Sequence, residues 1–148
     1  MRNKILPPTY FILFLILSIG LHFIFPIKKV IFSPYTYFGW IFIVFGVVLN
    51  LWTDSLFKKN KTTVKPFEKP TELITKGPFK ISRHPMYLGM TAILLGVAIL
   101  HGTLITLIFP LIFIALSEIL FLSQEEKNLK EIFGEDYINY KNRVRRWL

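Results

Sequence analysis

The chain has 148 residues, 53% of them hydrophobic and 18% charged, with a net charge of +9 and no cysteine. A soluble domain carries about a quarter charged residues, and here the apolar residues fall in four long blocks that leave no room for a second, soluble domain. The missing cysteine excludes disulfides, thiolate metal ligands and a cysteine nucleophile; no metal site is expected, and the basic excess reads as a topology signal rather than as affinity for nucleic acid.

The first block covers residues 9–25, between Pro7-Pro8 and Pro26. Arg2 and Lys4 precede it, as in a secretory signal, but no small-residue cleavage site follows, so a retained helix is expected. The second block covers 37–57, the third 85–100 and the fourth 104–122, with His101-Gly102-Thr103 as the tight turn between the last two. A crossing needs about 20 residues at roughly 1.5 Å each. The third block is short, so protein must cover part of its membrane depth. Sixteen of the 18 Lys and Arg lie before block one, between blocks two and three, or after block four; only Lys28 and Lys29 lie in the opposite loops. The positive-inside rule then makes both termini and the 58–84 loop cytoplasmic.

The 58–84 loop mixes Pro66, Pro70 and Gly77-Pro78 with apolar and basic residues, which suits an ordered segment on the membrane surface. Past block four the helix is expected to continue through residues 124–129 and to stop at Gly134. A last helix begins near Glu135. Its Tyr137, Tyr140, Val144 and Trp147 recur at helical spacing among Arg143, Arg145 and Arg146. That stripe either lies among lipid headgroups or packs on the protein's own loop. The expected fold is an all-α integral membrane protein, one domain over 1–148, with about four transmembrane helices, a cytoplasmic loop and a C-terminal interfacial helix in the 123–148 segment.

Two places can carry chemistry. One is residues 77–89, where the basic loop enters block three. Pro85 suits a first helical turn, and the free N–H groups there with Arg83 can hold an anion such as a carboxylate. Gly89, Ala92 and Gly96 form a small-residue face that admits either another helix or a flat ligand. The other place is Glu125-Glu126, at the same end of block four, with Glu118 two turns earlier in an apolar stretch. An anion-friendly helix start facing a carboxylate pair matches a zwitterionic ligand without identifying one.

The run Gly77-Pro-Phe-(x3)-Arg83-His84-Pro85-Met86-Tyr87-Leu88-Gly89 resembles the motif of the isoprenylcysteine carboxyl methyltransferase and phospholipid methyltransferase superfamily. Glu125-Glu126-Lys-Asn-Leu129-(x3)-Phe133-Gly134-Glu135-Asp136-Tyr137-(x2)-Tyr140-(x2)-Arg143-Val144 resembles its C-terminal signature. Thr62-Thr63-Val64-(x)-Pro66 and Val144-Arg145-Arg146-Trp147 are similar to prokaryotic members. The resemblance implies an S-adenosylmethionine-dependent membrane methyltransferase. It places Gly77, His84, Pro85, Met86, Tyr87 and Glu125 around the cofactor, with Gly89 and Glu126 adjacent. Arg83 is the expected catalytic residue, orienting the acceptor or the cofactor carboxylate. Phe121 stands where eukaryotic isoprenylcysteine enzymes carry an arginine, which argues against a prenylcysteine carboxylate as acceptor. The expected reaction is methyl transfer to a lipophilic or amphipathic acceptor from the bilayer, at its cytoplasmic face. The rival expectations are a proton-coupled transporter using Glu118 and a non-catalytic membrane subunit.

Overall fold

A computed structural model describes residues 6–62 and 69–148. Arg2, Lys4 and the Thr63-Val64-(x)-Pro66 part of the upstream motif lie outside the described residues. Helix α1 (Pro7–Ile24) starts on two prolines, which need no N–H partner there. A 3₁₀ turn (Tyr35–Phe38) leads into α2 (Gly39–Lys59). A second 3₁₀ turn (Gly77–Lys80) precedes α3 (Pro85–His101), and α4 (Leu104–Ser117) follows after a two-residue turn. The chain then continues without a break through a π-helical segment (Glu118–Leu122) into α5 (Ser123–Phe133), and ends with α6 (Glu135–Arg143). No strand occurs among the described residues.

Three helical stretches, Pro7–Ile24, Tyr35–Lys59 and Leu104–Phe133, are long and apolar enough to cross a membrane; α3 is a shorter apolar helix. The short helix is the one the others enclose. Nine of its 17 residues are buried, against two in α1, so its backbone finds protein where it cannot reach across lipid. The outward faces of α1 and α2 carry exposed Ile, Leu, Phe and Trp, the pattern of lipid-facing surface.

Two different kinds of packing hold α3. Against α2 the contact is backbone to backbone. A Cβ added at Gly39 would meet the Gly96 carbonyl, one at Gly46 the Gly89 carbonyl, and the reverse substitutions meet the same partners. The small-residue face of α3 therefore receives a helix, one of the two occupants the sequence left open. Toward α1 and α4 the contact is made by side chains. Met90, Leu94 and Phe113 form a buried cluster under Tyr10, Phe11, Phe14 and Leu15, with Phe14 edge-on to Phe109 and Phe113 at 6.1 and 6.2 Å.

The α3–α4 turn requires Gly102 at φ +67°, where a side chain would also strike Ile31. Its carbonyl accepts the amides of Val30 and Ile31 at 2.7 and 3.0 Å. At the other, basic end, the aromatic stripe of α6 turns inward. Tyr137 and Tyr140 are buried with Ile74 and Phe79 of the loop, beneath Phe57, Leu129 and Val144, and the Tyr140 hydroxyl donates to the Phe79 carbonyl at 2.7 Å. That face packs on the protein's own loop.

Candidate functional site at the basic end of the bundle

The site forms where three pieces of chain meet: the entry to α3, the first turn of α5 and the tail after α6. Gly77 opens the entry with φ +60°, packed so closely on Trp52 and Leu56 of α2 that a Cβ would displace them. Ser82 then ties the loop to the tail. Its hydroxyl accepts the His84 amide at 3.2 Å and donates to the Arg146 carbonyl at 3.0 Å, while the Arg83 amide donates to the Arg145 carbonyl at 3.1 Å. His84 and Pro85 are buried and begin α3, so His84, Tyr87 and Thr91 follow one another up a single face of the helix.

Glu126 is the hub. Arg146 forks onto it, Nε to Oε1 at 2.8 Å and Nη2 to Oε2 at 2.9 Å. Arg83 Nη2 reaches Oε1 at 3.0 Å, His84 Nε2 reaches Oε1 at 3.3 Å, and Lys141 Nζ lies 3.7 Å from Oε2. Burial alone would raise the Glu126 carboxyl. The hydrogen bonds from His84 and Arg146 and the charges of Arg83 and Arg146 outweigh it and hold the carboxyl well below the usual carboxylate range. Glu126 is therefore a buried anion whose lone pairs are already taken.

Glu125, its neighbour, is the opposite case. Its side chain is 27% exposed, and its Oε2 lies 3.8 Å from His84 Nδ1, beyond a hydrogen bond. Burial pushes its carboxyl above the usual range, against the influence of His84 and Tyr87 and with that of Glu126. Around it sit buried polar atoms that complete no hydrogen bond: His84 Nδ1 and the Tyr87 hydroxyl, with Arg83 Nε nearby in sequence. Buried polar groups that complete no hydrogen bond are rare in folded proteins, so this cluster beside a carboxylate is the candidate ligand contact. The flank of the cluster is apolar. Tyr87 and Phe121 stand 6.3 Å apart, Tyr10 meets Phe121 edge-on at 5.6 Å, and Trp147 covers the same cluster.

Of the residues singled out in sequence, Arg83, His84, Tyr87, Glu125 and Glu126 converge. Pro85 starts the helix that carries Tyr87 and that His84 precedes as N-cap. Gly77 and Gly89 pack against α2: Gly77 on the Leu56 and Trp52 side chains, while a Cβ at Gly89 would land on the Asn50 side chain and the Gly46 carbonyl. Met86 is half-buried in the first turn of α3. Glu118 points into the tail, where its Oε1 accepts the Trp147 indole N–H at 2.8 Å and lies 3.7 Å from Arg146 Nη1. An acid engaged in this way loses the solitary character that suggested proton coupling. The sequence reading missed Arg146 as the main partner of Glu126, Tyr137 as the neighbour of Arg83 (hydroxyl to Nη1, 3.5 Å), and Asn50, whose Oδ1 is buried without a hydrogen-bond partner. Arg146 and Trp147 stood inside a recognised motif, but spacing alone gives no sign that a tail folds back onto a helix 20 residues earlier.

A bundle of apolar helices long enough to cross a membrane, with a polar cluster centred on a carboxylate at one end, defines a multi-pass membrane protein with a built site. The chain belongs to the phospholipid methyltransferase family, whose model matches residues 35–136, from the turn before α2 into α6. It is also similar to an uncharacterized protein of Haemophilus influenzae, 36% identical over 63 residues, which make up 43% of this chain and the whole of that protein.

Proposed function

We propose that the protein transfers a methyl group from S-adenosylmethionine to a lipophilic or amphipathic acceptor that enters from the bilayer at the cytoplasmic face. The observation that carries this reading is the polar cluster at the partly exposed Glu125: His84 Nδ1, which completes no hydrogen bond, and the Tyr87 hydroxyl, whose one polar neighbour is Glu125 itself. Those donors and acceptors suit an amino acid and ribose better than a purely apolar ligand. Glu125 would take the ammonium or the ribose hydroxyls by charge-assisted hydrogen bonds. Tyr87 offers a ring face to a cation. When bound, the cofactor supplies the activated methyl group. The protein's own part is to orient the acceptor, exclude water with the Tyr10–Phe121–Trp147 wall, and keep Glu126 charged so that Arg83 and His84 stay in place.

Phe121 supports an apolar acceptor path, because it fills with a buried ring the position from which an arginine would hold a carboxylate. Each methylene moved out of water adds about 0.8 kcal/mol, so a membrane concentrates such acceptors at the site. Calorimetry with S-adenosylmethionine on detergent-purified protein tests the reading. Wild type binds, and Glu125→Ala binds at least about tenfold more weakly, since losing a charged partner in a partly buried site costs about 2–5 kcal/mol. Methyl label then appears in the organic-extractable fraction of host lipid. No binding by wild type would reject the reading; label in small water-soluble acceptors alone would reject the lipid-side acceptor.

A further inference from the structure

We propose that the turn leading into α3 is a dock for an anionic phospholipid, with its phosphate between Lys76, Lys80 and Arg143 and part of one acyl chain in the apolar groove behind the same turn. Two grooves meet at this 3₁₀ turn (Gly77–Lys80). On one side the loop and α6 leave an open groove of about 780 Å³. Lys76 and Lys80 line it from the loop and Asp136 and Arg143 from α6, with Tyr140 and Val144 completing the lining. Three cations against one carboxylate favour an anion. These cations are also uncommitted. Arg83, Arg146 and Lys141 are drawn to Glu126, Lys58 to Asp54 and Lys127 to Glu131. Lys76, Lys80 and Arg143 are exposed and form no ion pair with a carboxylate among the described residues.

On the other side of the turn, between α2 and the start of α3, lies a wholly apolar groove of about 130 Å³. Phe45, Val48 and Trp52 of α2 line it together with Pro78, Ile81 and Leu88. The three α2 residues belong to the outward face of a stretch long and apolar enough to cross a membrane, so lipid rather than water is the medium there. The space suits part of one acyl chain, not a whole lipid. Successive residues of the turn serve the two grooves by turns: Lys76 and Lys80 the basic one, Pro78 and Ile81 the apolar one. A ligand that uses both carries an anion on an acyl chain. Free phosphate would use the basic groove alone. A zwitterionic headgroup would bring an ammonium to the same cations and lose most of the attraction.

The docked lipid is not the methyl acceptor. Its apolar groove lies on the α2 side of α3, whereas the Glu125 cluster is flanked by Tyr10 of α1 and by Phe121. What the two share is the loop. Ser82 borders the apolar groove, and its hydroxyl ties the loop to the tail at the Arg146 carbonyl. A lipid in the dock therefore braces the segment that carries Arg83 and His84, whatever reaction takes place at Glu125.

Trp52 reports on the dock, because bromine on an acyl chain quenches an indole it touches. The full-length protein is reconstituted in phosphatidylcholine bilayers containing either brominated phosphatidylglycerol or brominated phosphatidylcholine. Comparison with Trp52→Phe separates the Trp52 signal from those of Trp40 and Trp147. Each Lys or Arg near a membrane surface adds about fivefold in affinity for anionic lipid. Brominated phosphatidylglycerol should therefore quench Trp52 at about tenfold lower mole fraction than brominated phosphatidylcholine. Combining Lys76→Ser, Lys80→Ser and Arg143→Ser should abolish that preference. Lys80→Ser alone should cut it about fivefold, and serves if the triple variant does not fold. Lys127→Ser with Lys130→Ser removes charge from α5, outside the groove, and should leave the preference intact. Equal quenching by the two lipids in wild type, or a preference that survives the groove substitutions, would overturn the proposal. So would a preference lost equally in the α5 variant, which would mean diffuse surface charge. Full recovery of Trp52 emission on adding millimolar glycerol 3-phosphate would make this a free-phosphate site and reject the lipid.

Discussion

The two faces of α3 solve the same packing problem in opposite ways. Toward α2, glycines meet glycines across seven-residue intervals, Gly39 with Gly96 and Gly46 with Gly89, and nothing separates the backbones. Toward α1 and α4, rings and long side chains fill the gap, and at the basic end that filling stops short and leaves the Tyr87 hydroxyl and His84 Nδ1 without partners. One face is set by backbone contact and tolerates no added atom; the other is set by side chains and ends in polar atoms that a ligand could engage. A short central helix needs both, because the close face fixes where the open face stands.

The sharpest way to break the comparison is to fill the close face. Gly39→Leu with Gly46→Leu drives two side chains into carbonyls that cannot move aside. Overpacking costs about 1–3 kcal/mol per site even where neighbours are flexible. The double variant should yield no monodisperse folded protein on size exclusion in detergent. A folded, melting variant would show that α2 and α3 are further apart than described.

Glu126→Ala acts at the open face and should rank next. It leaves Arg83 buried and Arg146 without its fork, a loss of about 3–5 kcal/mol for a broken buried pair, read as a large drop in thermal midpoint. The same residue gives a pH signature. Its folded carboxyl titrates below its unfolded value of about 4.3, so its contribution is complete above that value and drains away as the pH falls toward the folded one. Glu125, shifted upward, has the opposite sign and loses its contribution as the pH rises through its folded value. Glu126→Gln should therefore flatten the acid loss of stability, and Glu125→Gln should not.

The smallest effect is read in transfer at the apolar flank. Phe121→Arg places a charge in a buried apolar site on the acceptor path and should reduce transfer into the lipid fraction at matched amounts of folded protein. Undiminished lipid labelling in that variant would move the acceptor route elsewhere.

Much of this architecture was readable from the chain. The four apolar blocks became α1 to α4 with ends within a few residues, and the helix does run on past block four to Gly134. Hydropathy and proline punctuation carry that information locally. The convergence of Arg83, His84, Tyr87, Glu125 and Glu126 was legible only through paired motifs, because a helical hairpin brings residues about 40 apart together and no periodicity records it. The π-helical segment was not legible at all: Glu118–Leu122 has the composition of any apolar helix. Nor was the return of the tail, since the hydrogen bonds from Ser82 and Arg83 to the backbone of Arg146 and Arg145 leave no trace in side-chain chemistry. The stripe on α6 allowed two destinations, and only the buried Tyr137 and Tyr140 decided between them.

The π-helical segment between α4 and α5 gives the chain an uncommon tolerance to losing a letter. In a plain α-helix, deleting one residue turns everything beyond it by about 100°, which here would carry Glu126 away from Arg146. Between Glu118 and Leu122, however, the turn already holds one residue more than an α-helical turn, as the Ser123 hydroxyl on the Glu118 carbonyl at 3.0 Å reflects. Removing Ile119, which is 73% exposed, lets the segment relax to ordinary α-helix while both flanks keep their bearing. Shortened versions of this gene that lack that single codon should still close the carboxylate onto the tail, whereas the same loss within α3 would separate Tyr87 from Glu125.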